Sequence, residues 1–377
     1  MSDETALLEQ VATEIVRDFL AGHGAEADAG WAPALWATLD AAGLPLVGIP
    51  EASGGAGGDW PEVAAVVRAL GRYAAPVPLA ETCALAGWLL AGAGLPIPSG
   101  PLAVAPVGFG ERLEIERTAD GWRLRGQAAR VPWASEATAV AVLATSNDGY
   151  AVALVPRDRC QIERGTNLAG EPRDRVTFED VPLDRGAVGP VALHPDDLLA
   201  RGALVRSVQI VAALERLLAM TVEYVSVRTQ FGRSLGRFQA VQHDLARLAG
   251  EVEASRATVD AALHAATRGA DSLADSGGAG LLVATGDAGL LELAAAKVRA
   301  GEAATVGARI AHQLHGAIGV TQEHALHRLT TRLWSWRDEF GGERVWATRL
   351  GLAVAASGPD GFWAWFTGTH PSTGTRM

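Results

Sequence analysis

The sequence predicts an α+β chain with its helices and strands segregated: an N-terminal helical domain, a middle β domain and a C-terminal four-helix bundle. Three changes of rhythm carry this reading. Apolar residues recur at helical spacing up to about position 95, then alternate over short strand-length runs from about 102 to 191. From about 197 the helical period returns in segments well beyond the globular mean of about 11–12 residues. The resulting domain boundaries are 1–101, 102–195 and 196–377.

Taken in order, "ETALLEQVATEIVRDFL" places Leu7, Val11, Ile15 and Leu20 near one helical face. "WAPALWATLDAAGL" and "WPEVAAVVRALGRYA" follow as helices, with Pro61 suited to a first turn. The Pro- and Gly-rich "LPIPSGP" closes this region. "GWRLRGQAARV", "TAVAVLATSNDGYAVALVP" and "DRVTFEDVPL" read as strands, with Asn147-Asp148-Gly149 as a hairpin turn. Helices are then expected over 198–227, from 238 to about 267, over about 290–314 and from 323 to about 336. "ADSLADSGGAGLLVATGDAG" reads as a connection between two of them, and helices of this length favour an extended bundle.

Composition narrows the function. The net charge of −11 opposes a nucleic-acid surface, which needs clustered basic residues. Lys297 is the sole lysine, which reads as compositional bias towards arginine. Cys83 and Cys160 make neither a disulfide framework nor a metal knuckle. "MSDETALLEQ" is not a secretory signal, and no run of about 18 apolar residues predicts a membrane span. The expected location is the cytoplasm. The loop "SGGAGGDW" lacks a preceding strand and reads as a turn, and no G-x-S-x-G elbow supports serine hydrolysis.

One segment, "VRTQFGRSLGRFQAVQHDLA", stands at the break between two long helices. Such a break frees backbone N–H groups that suit an anion; an arginine can clamp phosphate oxygens and an aromatic ring can stack on a purine. Taken alone, it reads as a helix–helix turn whose Phe packs inward, since nothing in the segment demands a nucleotide. A second segment, "AHQLHGAIGVTQEHALHRL", sets Gln313, Gly316 and Gly319 at another break. Together with "LWATLDAAGLPLVGIPEASGGAGGDW", these segments resemble the acyl-CoA dehydrogenase family: R-x-Q-F-G, F-Q-x-x-Q-H, then Q-x-H-G-x-x-G-x-T-x-E. The resemblance covers nearly the whole chain. It implies the α, β, α-bundle fold, FAD as cofactor, an acyl-CoA substrate oxidised to the 2,3-enoyl thioester, and an electron-transfer flavoprotein as acceptor. It also implies that Arg228 grips the pyrophosphate of a neighbouring subunit's flavin, with Gln230 and Phe231 on the adenosine side. Leu235 and Phe238 would line that side, and Gln313 and Gly316 complete it.

The same resemblance exposes departures. The family carries its catalytic Glu at one of two places. An ungapped count from Gly316 puts the first at Phe340, with Gly341 in the motif's glycine position and Gly342 replacing Thr. The second falls on Gly202, in "LARGAL". Glu339 becomes a base only through a one-residue shift. The flavin-facing T-E-P-x-A-G-S-D motif is reduced to Pro106, and the W-I-T/S strand aligns with Arg130-Val131-Pro132, where proline has no N–H to donate. Residues serving a neighbour's FAD are kept, and those for the chain's own flavin and base are lost.

The reading that follows is the partner subunit of a heteromeric acyl-CoA dehydrogenase of the bacterial steroid-degradation type. The alternatives are a homomeric dimer or tetramer using Glu339, a catalytically silent assembly protein, and an oxygen-using flavoenzyme of the same fold. Arg201, one residue before the second base position, reads as a surface salt bridge, the alternative being that it occupies a dead pocket. His312, His315, His324 and His327 read as ordinary helix histidines, and Phe362, Trp363, Trp365 and Phe366 as a local packing tail or a docking patch.

Overall fold

The computed structural model describes residues 2–23, 30–274 and 286–366. Helix α1 (Asp3–Gly22) is capped by Ser2, whose side chain accepts from the Thr5 N–H. The expected apolar face is rotated. Leu7 and Val11 are exposed, whereas Thr5, Ala12 and Val16 are buried. The inward stripe is Thr5, Ala12 and Val16 with Leu8, Ile15 and Phe19 packed beside it, and Thr5 Oγ1 donates to Glu62 of the next helix at 2.7 Å, which satisfies the polar position on that face. Helices α2 (Pro33–Ala41) and α3 (Trp60–Tyr73) follow, with Pro61 in the first turn of α3. A π-helical stretch, Glu81–Gly87, runs into the short α4 (Trp88–Gly92).

The β region is one sheet. Its strands are β1 (Leu102–Ala105), β2 (Leu113–Arg117), β3 (Trp122–Pro132), β4 (Ala139–Ser146), β5 (Gly149–Pro156), β6 (Gln161–Glu163), β7 (Arg173–Leu183) and β8 (Val188–Val191). The order is β6-β7-β3-β2-β4-β5-β8, with β1 parallel to β4. The Asn147-Asp148 turn closes β4 on β5, pairing Ser146 with Gly149. β4 is apolar and buried along most of its length, while β3 alternates, burying Leu124 and Ala128.

α5 (Pro195–Val227) is the spine of the molecule. Every residue from Asp197 to Leu214 is buried, so this half touches protein all round, and any charge on it must find a partner inside. A first core cluster joins the N-terminal helices and the sheet to this half of α5. A second packs its other half against α6 (Gln239–Ala274), α7 (Gly286–His315) and α8 (Leu326–Trp336). The connection expected over 270–289 is shorter in the structure, which continues α6 to Ala274 and starts α7 at Gly286; residues 275–285 lie outside the described residues. α8 starts three residues later than its pattern, because residues 321–325 form a turn before it.

The pattern did not mark α9 (Glu343–Phe366), a further long helix broken at Gly358, where φ is +68°. Of the terminal aromatics, only the Trp363 side chain is described, and it is 62% exposed. The side chains of Phe362, Trp365 and Phe366 lie outside the described residues. Among the described residues no helix is long and apolar enough to cross a membrane.

Candidate functional site: an outward cleft and a second pocket against the sheet

Two sites emerge. The first lies where α5 gives way to α6. β9 (Thr229–Gln230) and β10 (Arg233–Ser234) form a hairpin whose two-residue turn is Phe231 (φ +50°) and Gly232 (φ +80°). Positive φ at both central positions defines the turn type that matches strand twist, so glycine at the second position is a backbone requirement. Arg228 closes α5 through its N–H to Tyr224 O at 2.9 Å, and its carbonyl accepts from the Leu235 N–H at 2.9 Å.

From the other side α7 ends at His315, and Gly316 (φ +64°) turns the chain. These ends enclose a cleft of about 630 Å³ lined by Tyr224, Arg228, Gln230, Leu235, Gln313 and Gly316 among others. Arg228, Gln230, Gln313 and Gly316 are exposed, so the cleft opens outward.

Phe231 and Phe238 do not line it. They form an edge-on aromatic pair at the hairpin tip, with ring centroids 6.2 Å apart, and Arg233 lies 4.1 Å above the Phe238 ring. Exposed apolar residues adjoin its lining segments along the chain: Phe231 is 89% exposed, Val227 74% and Val320 70%. Solvated apolar groups gathered around a polar cleft are the pattern of an interaction site.

Sequence reading passed over an aromatic stack beside the cleft. His315 stacks on Tyr224 at 4.5 Å and meets His324 edge-on at 4.8 Å. Burial pulls His312, His315 and His324 below the ordinary imidazole range. No cluster able to hold a metal ion occurs among the described residues.

The second site is an inner pocket of about 380 Å³ between the sheet and the turn joining α8 to α9. Val107, Phe109, Glu111, Pro132, Glu339 and Gly341 are among its lining residues, so Gly341 stands apart from the outward cleft. Gly341 has φ +90°, and a Cβ there would come 2.7 Å from both Phe109 and Trp346. Phe340 precedes it at φ +53° and is 2% exposed, its carbonyl accepting from Trp346 Nε1 at 3.0 Å. The Phe340 ring lies directly on the Cα of Gly202, where any Cβ would collide with it.

Glu339 is no base. Arg173 donates to it at 2.6 and 3.2 Å, and Arg206 at 2.7 Å. Burial alone would raise its pKa, but the two guanidinium groups outweigh burial and hold it at about 2. A carboxylate fixed in this way has no driving force to take a proton from carbon. The fallback assignment of Glu339 as catalytic base is therefore corrected.

The pair belongs to a longer chain of charges. Arg332 bonds Glu171 at 2.7 Å, Arg173 bonds Glu171 at 3.0 Å, and Arg206 bonds Glu81 at 2.5 Å and Gln209 at 2.6 Å. All are buried. The sequence signal was present: Glu81 in "PLAETCALAGWLL" and Arg206 in "GALVRSVQIVAAL" are single charges inside apolar runs, which need an internal partner.

Arg201 is likewise no surface residue. It is 4% exposed, sandwiched between the rings of Trp60 and Trp88 at 4.4 Å each, and donates to Ala84 O. Burial pulls its guanidinium down to about 9.

Residues 2–95 match the family described as acyl-CoA dehydrogenase, N-terminal domain, and residues 196–337 match its C-terminal domain. The acyl-CoA dehydrogenase IpdE2 of Mycobacterium tuberculosis is 30% identical over 330 residues, which cover 84% of this chain and 88% of that one.

The chain belongs to the acyl-CoA dehydrogenase family.

Among solved structures, one from the ChsE4-ChsE5 complex of Mycobacterium tuberculosis superimposes with a TM-score of 0.81 at 27% identity, covering 95% of this chain and 99% of that one. Another, from a variant of the Tcur3481-Tcur3483 steroid ACAD, gives 0.79 at 29% identity and covers 94% and 98%. As an acyl-CoA dehydrogenase the chain has an uneven fit to a flavin dinucleotide. The outward cleft offers a cation, amide side chains and close-approach glycine, which suit the phosphate and adenosine end. In the inner pocket, where the resemblance would put the ring and thioester, a phenyl ring against Gly202 leaves no room for a thioester, Pro132 withholds one donor from the ring and the Glu111 carboxylate occupies three others, so the pocket as built does not fit.

Proposed function

We propose that this chain is the cleft-lending subunit of a heteromeric FAD-dependent acyl-CoA dehydrogenase. It binds the adenosine and pyrophosphate end of a flavin whose ring is held by a catalytic partner of the same fold. The observation that carries this is the contact between Phe340 and Gly202. Each occupies one of the two places where the family keeps its base, and they fill one another's space. Elsewhere, Arg228, Gln230, Leu235, Gln313 and Gly316 converge on a cleft that shares no lining residue with the chain's own inner pocket. Similarity to chains described as the ChsE4-ChsE5 complex and as a Tcur3481-Tcur3483 steroid ACAD supports a two-chain assembly and a steroid-derived acyl-CoA as substrate class.

A bound FAD would supply the acceptor for the hydride that leaves the β-carbon of the thioester. This chain's part is recognition and exclusion. The Arg228 guanidinium meets phosphate oxygens with charge-assisted hydrogen bonds, and the Gln230 and Gln313 amides can each donate and accept at the ribose or base edge. The rim of Val227, Phe231 and Val320 loses its solvent when the partner docks and seals the cleft from water. The base and the acyl pocket come from the partner, and an electron-transfer flavoprotein is the acceptor by family resemblance.

The deciding experiment is expression of the chain alone and together with a catalytic acyl-CoA dehydrogenase subunit, reading the visible spectrum and the protein-to-flavin ratio. Colourless protein alone and FAD in the co-expressed complex are expected. About one FAD per chain in the isolated protein would sink the proposal. Absence of flavin in both preparations would favour a silent assembly role.

A further inference from the structure

A second built polar site lies in the β region, away from the outward cleft. After β1 the chain passes through Val107, Gly108, Phe109 and Gly110 before Glu111 turns its carboxylate back on the loop. Glu111 Oε2 accepts from the N–H groups of Val107 and Gly108, both at 3.0 Å. Its Oε1 accepts from the N–H of Ala129 at 2.7 Å. The Ala129 donor is available because β3 shifts register against β7 between Ala128 and Val131, a bulge that releases it from the ladder. The carboxylate also rests against bare backbone. A Cβ on Gly108 would come 3.1 Å from the Glu111 carboxyl carbon and 3.2 Å from Oε1, so a side chain there would crowd the seat.

Backbone N–H groups converging from two segments make a concavity for an anion or for the acceptor edge of a ring. Such bonds are strongest when the acceptor is charged. Here the chain supplies the acceptor itself, and the seat faces the inner pocket with Phe109, Pro132 and Phe340.

We propose that the amides of Val107, Gly108 and Ala129 form a receptor for a carboxylate or an acceptor-edged ring, and that Glu111 is its resident occupant, closing this chain's own pocket to flavin. The proposal rests on the reading that the chain lends its cleft to a partner's FAD, and it adds the device that keeps a second flavin out. Because Glu111 is tethered three residues from Gly108, an incoming ring competes with an intramolecular ligand at high effective concentration. Pro132, on the same pocket wall, adds no donor.

The test uses Glu111→Ala in the full chain expressed alone, with two probes. Sodium formate is a free carboxylate. Riboflavin carries the ring without the phosphates that Arg228 would hold. The variant should keep its far-UV spectrum, melt several degrees lower and regain its midpoint saturably with formate, whereas the wild type responds only as it does to equal sodium chloride. Riboflavin fluorescence should be quenched by the variant at roughly 50 µM, a micromolar-range affinity, and not by the wild type.

Formate rescue without riboflavin quenching overturns the closure and leaves a carboxylate seat only. Neither effect overturns the receptor altogether. Should Glu111→Ala not fold, Glu111→Gln keeps the side-chain length with a single acceptor oxygen. Amide exchange at Val107 and Gly108, or at Ala129, should then quicken by at least about tenfold, one hydrogen bond's worth, and unchanged protection at all three overturns the proposal. A wild-type chain carrying one FAD sinks both this closure and the shared-site reading. Failure of Glu111→Ala to admit riboflavin sinks the closure alone.

Discussion

The ring of Phe340 lies on the Cα of Gly202, so the two positions to which the motif count assigns the catalytic carboxylate occupy a single packed contact. Phe340 comes from the turn after α8 and Gly202 from the buried half of α5. Their contact is therefore tertiary, and Arg206, one turn along α5, lies 5.5 Å from the same ring. An acyl thioester has no room to present its α-carbon where a phenyl ring fits against a glycine.

Gly202→Ala should cost about 1–3 kcal/mol of stability, the usual range for overpacking a core. Phe340→Ala should cost about 3–5 kcal/mol through the cavity it leaves. Because the added methyl collides with that ring, the double variant should be more stable than the sum of the two losses allows, with a coupling of at least about 1 kcal/mol. Urea unfolding of the four proteins measures this. Strict additivity would mean that the two residues do not touch.

Arg228→Gln should leave the melting of the isolated chain within about 0.5 kcal/mol, since the residue is exposed and its cap bond is made by the backbone. In the co-expressed complex it should weaken FAD retention about 10- to 100-fold, the loss expected for a charged hydrogen bond of about 1.5–3 kcal/mol. Dialysis followed by the flavin-to-protein ratio reads the effect. Unchanged retention would remove Arg228 from the cofactor site.

Glu339 makes acid sensitivity specific. Its carboxyl titrates at about 2 in the folded chain against an ordinary 4.5. A depressed carboxylate stabilises fully above pH 4.5, and that contribution is lost as pH falls through 2. The difference corresponds to about 3 kcal/mol. Glu339→Gln should remove this acid-dependent contribution and, at neutral pH, cost about 3–5 kcal/mol by leaving Arg173 and Arg206 buried with fewer partners. Urea midpoints from pH 3 to 7 for wild type and variant would show it, and parallel curves would assign the acid response to other carboxylates.

How much was legible beforehand depended on the range of the interaction. The hairpin at Asn147-Asp148-Gly149, the spine helix over 198–227 and the gathering of Arg228 with Gln313 all follow from local pattern or motif order. Arg201 was misplaced because a lone arginine reads as solvated, and only tertiary structure brings Trp60 and Trp88 from different helices onto its two faces. Glu339 looked like a displaced base because its neighbours in sequence are a motif, whereas its neighbours in space, Arg173 and Arg206, arrive from a strand and a helix. Helix α1 was misjudged in its facing because Thr5, polar in sequence, lies on the buried stripe with its hydroxyl satisfied by Glu62 of another helix.

Lys297, the sole lysine, gives the last prediction. It is fully buried, donates from Nζ to Trp336 O at 2.8 Å, and burial pulls it from 10.5 to about 7 against the opposing pull of Glu339. Between pH 7 and 10.5 the unfolded chain therefore holds a proton that the folded chain has released, so stability rises with pH across that window. Cys83 and Cys160 act in the opposite sense. Burial pushes both thiols up to about 12 from 9, so above pH 9 the unfolded chain loses protons that the folded chain keeps, and stability falls. The two trends meet near pH 9, where wild-type stability should peak. Lys297→Met removes the ascending limb while keeping the aliphatic length. Its urea midpoint should stay flat from pH 7 to 9, where the wild type climbs. A variant that climbs in parallel with the wild type would show that Lys297 is charged in the folded chain throughout this range, and that Glu339 outweighs its burial.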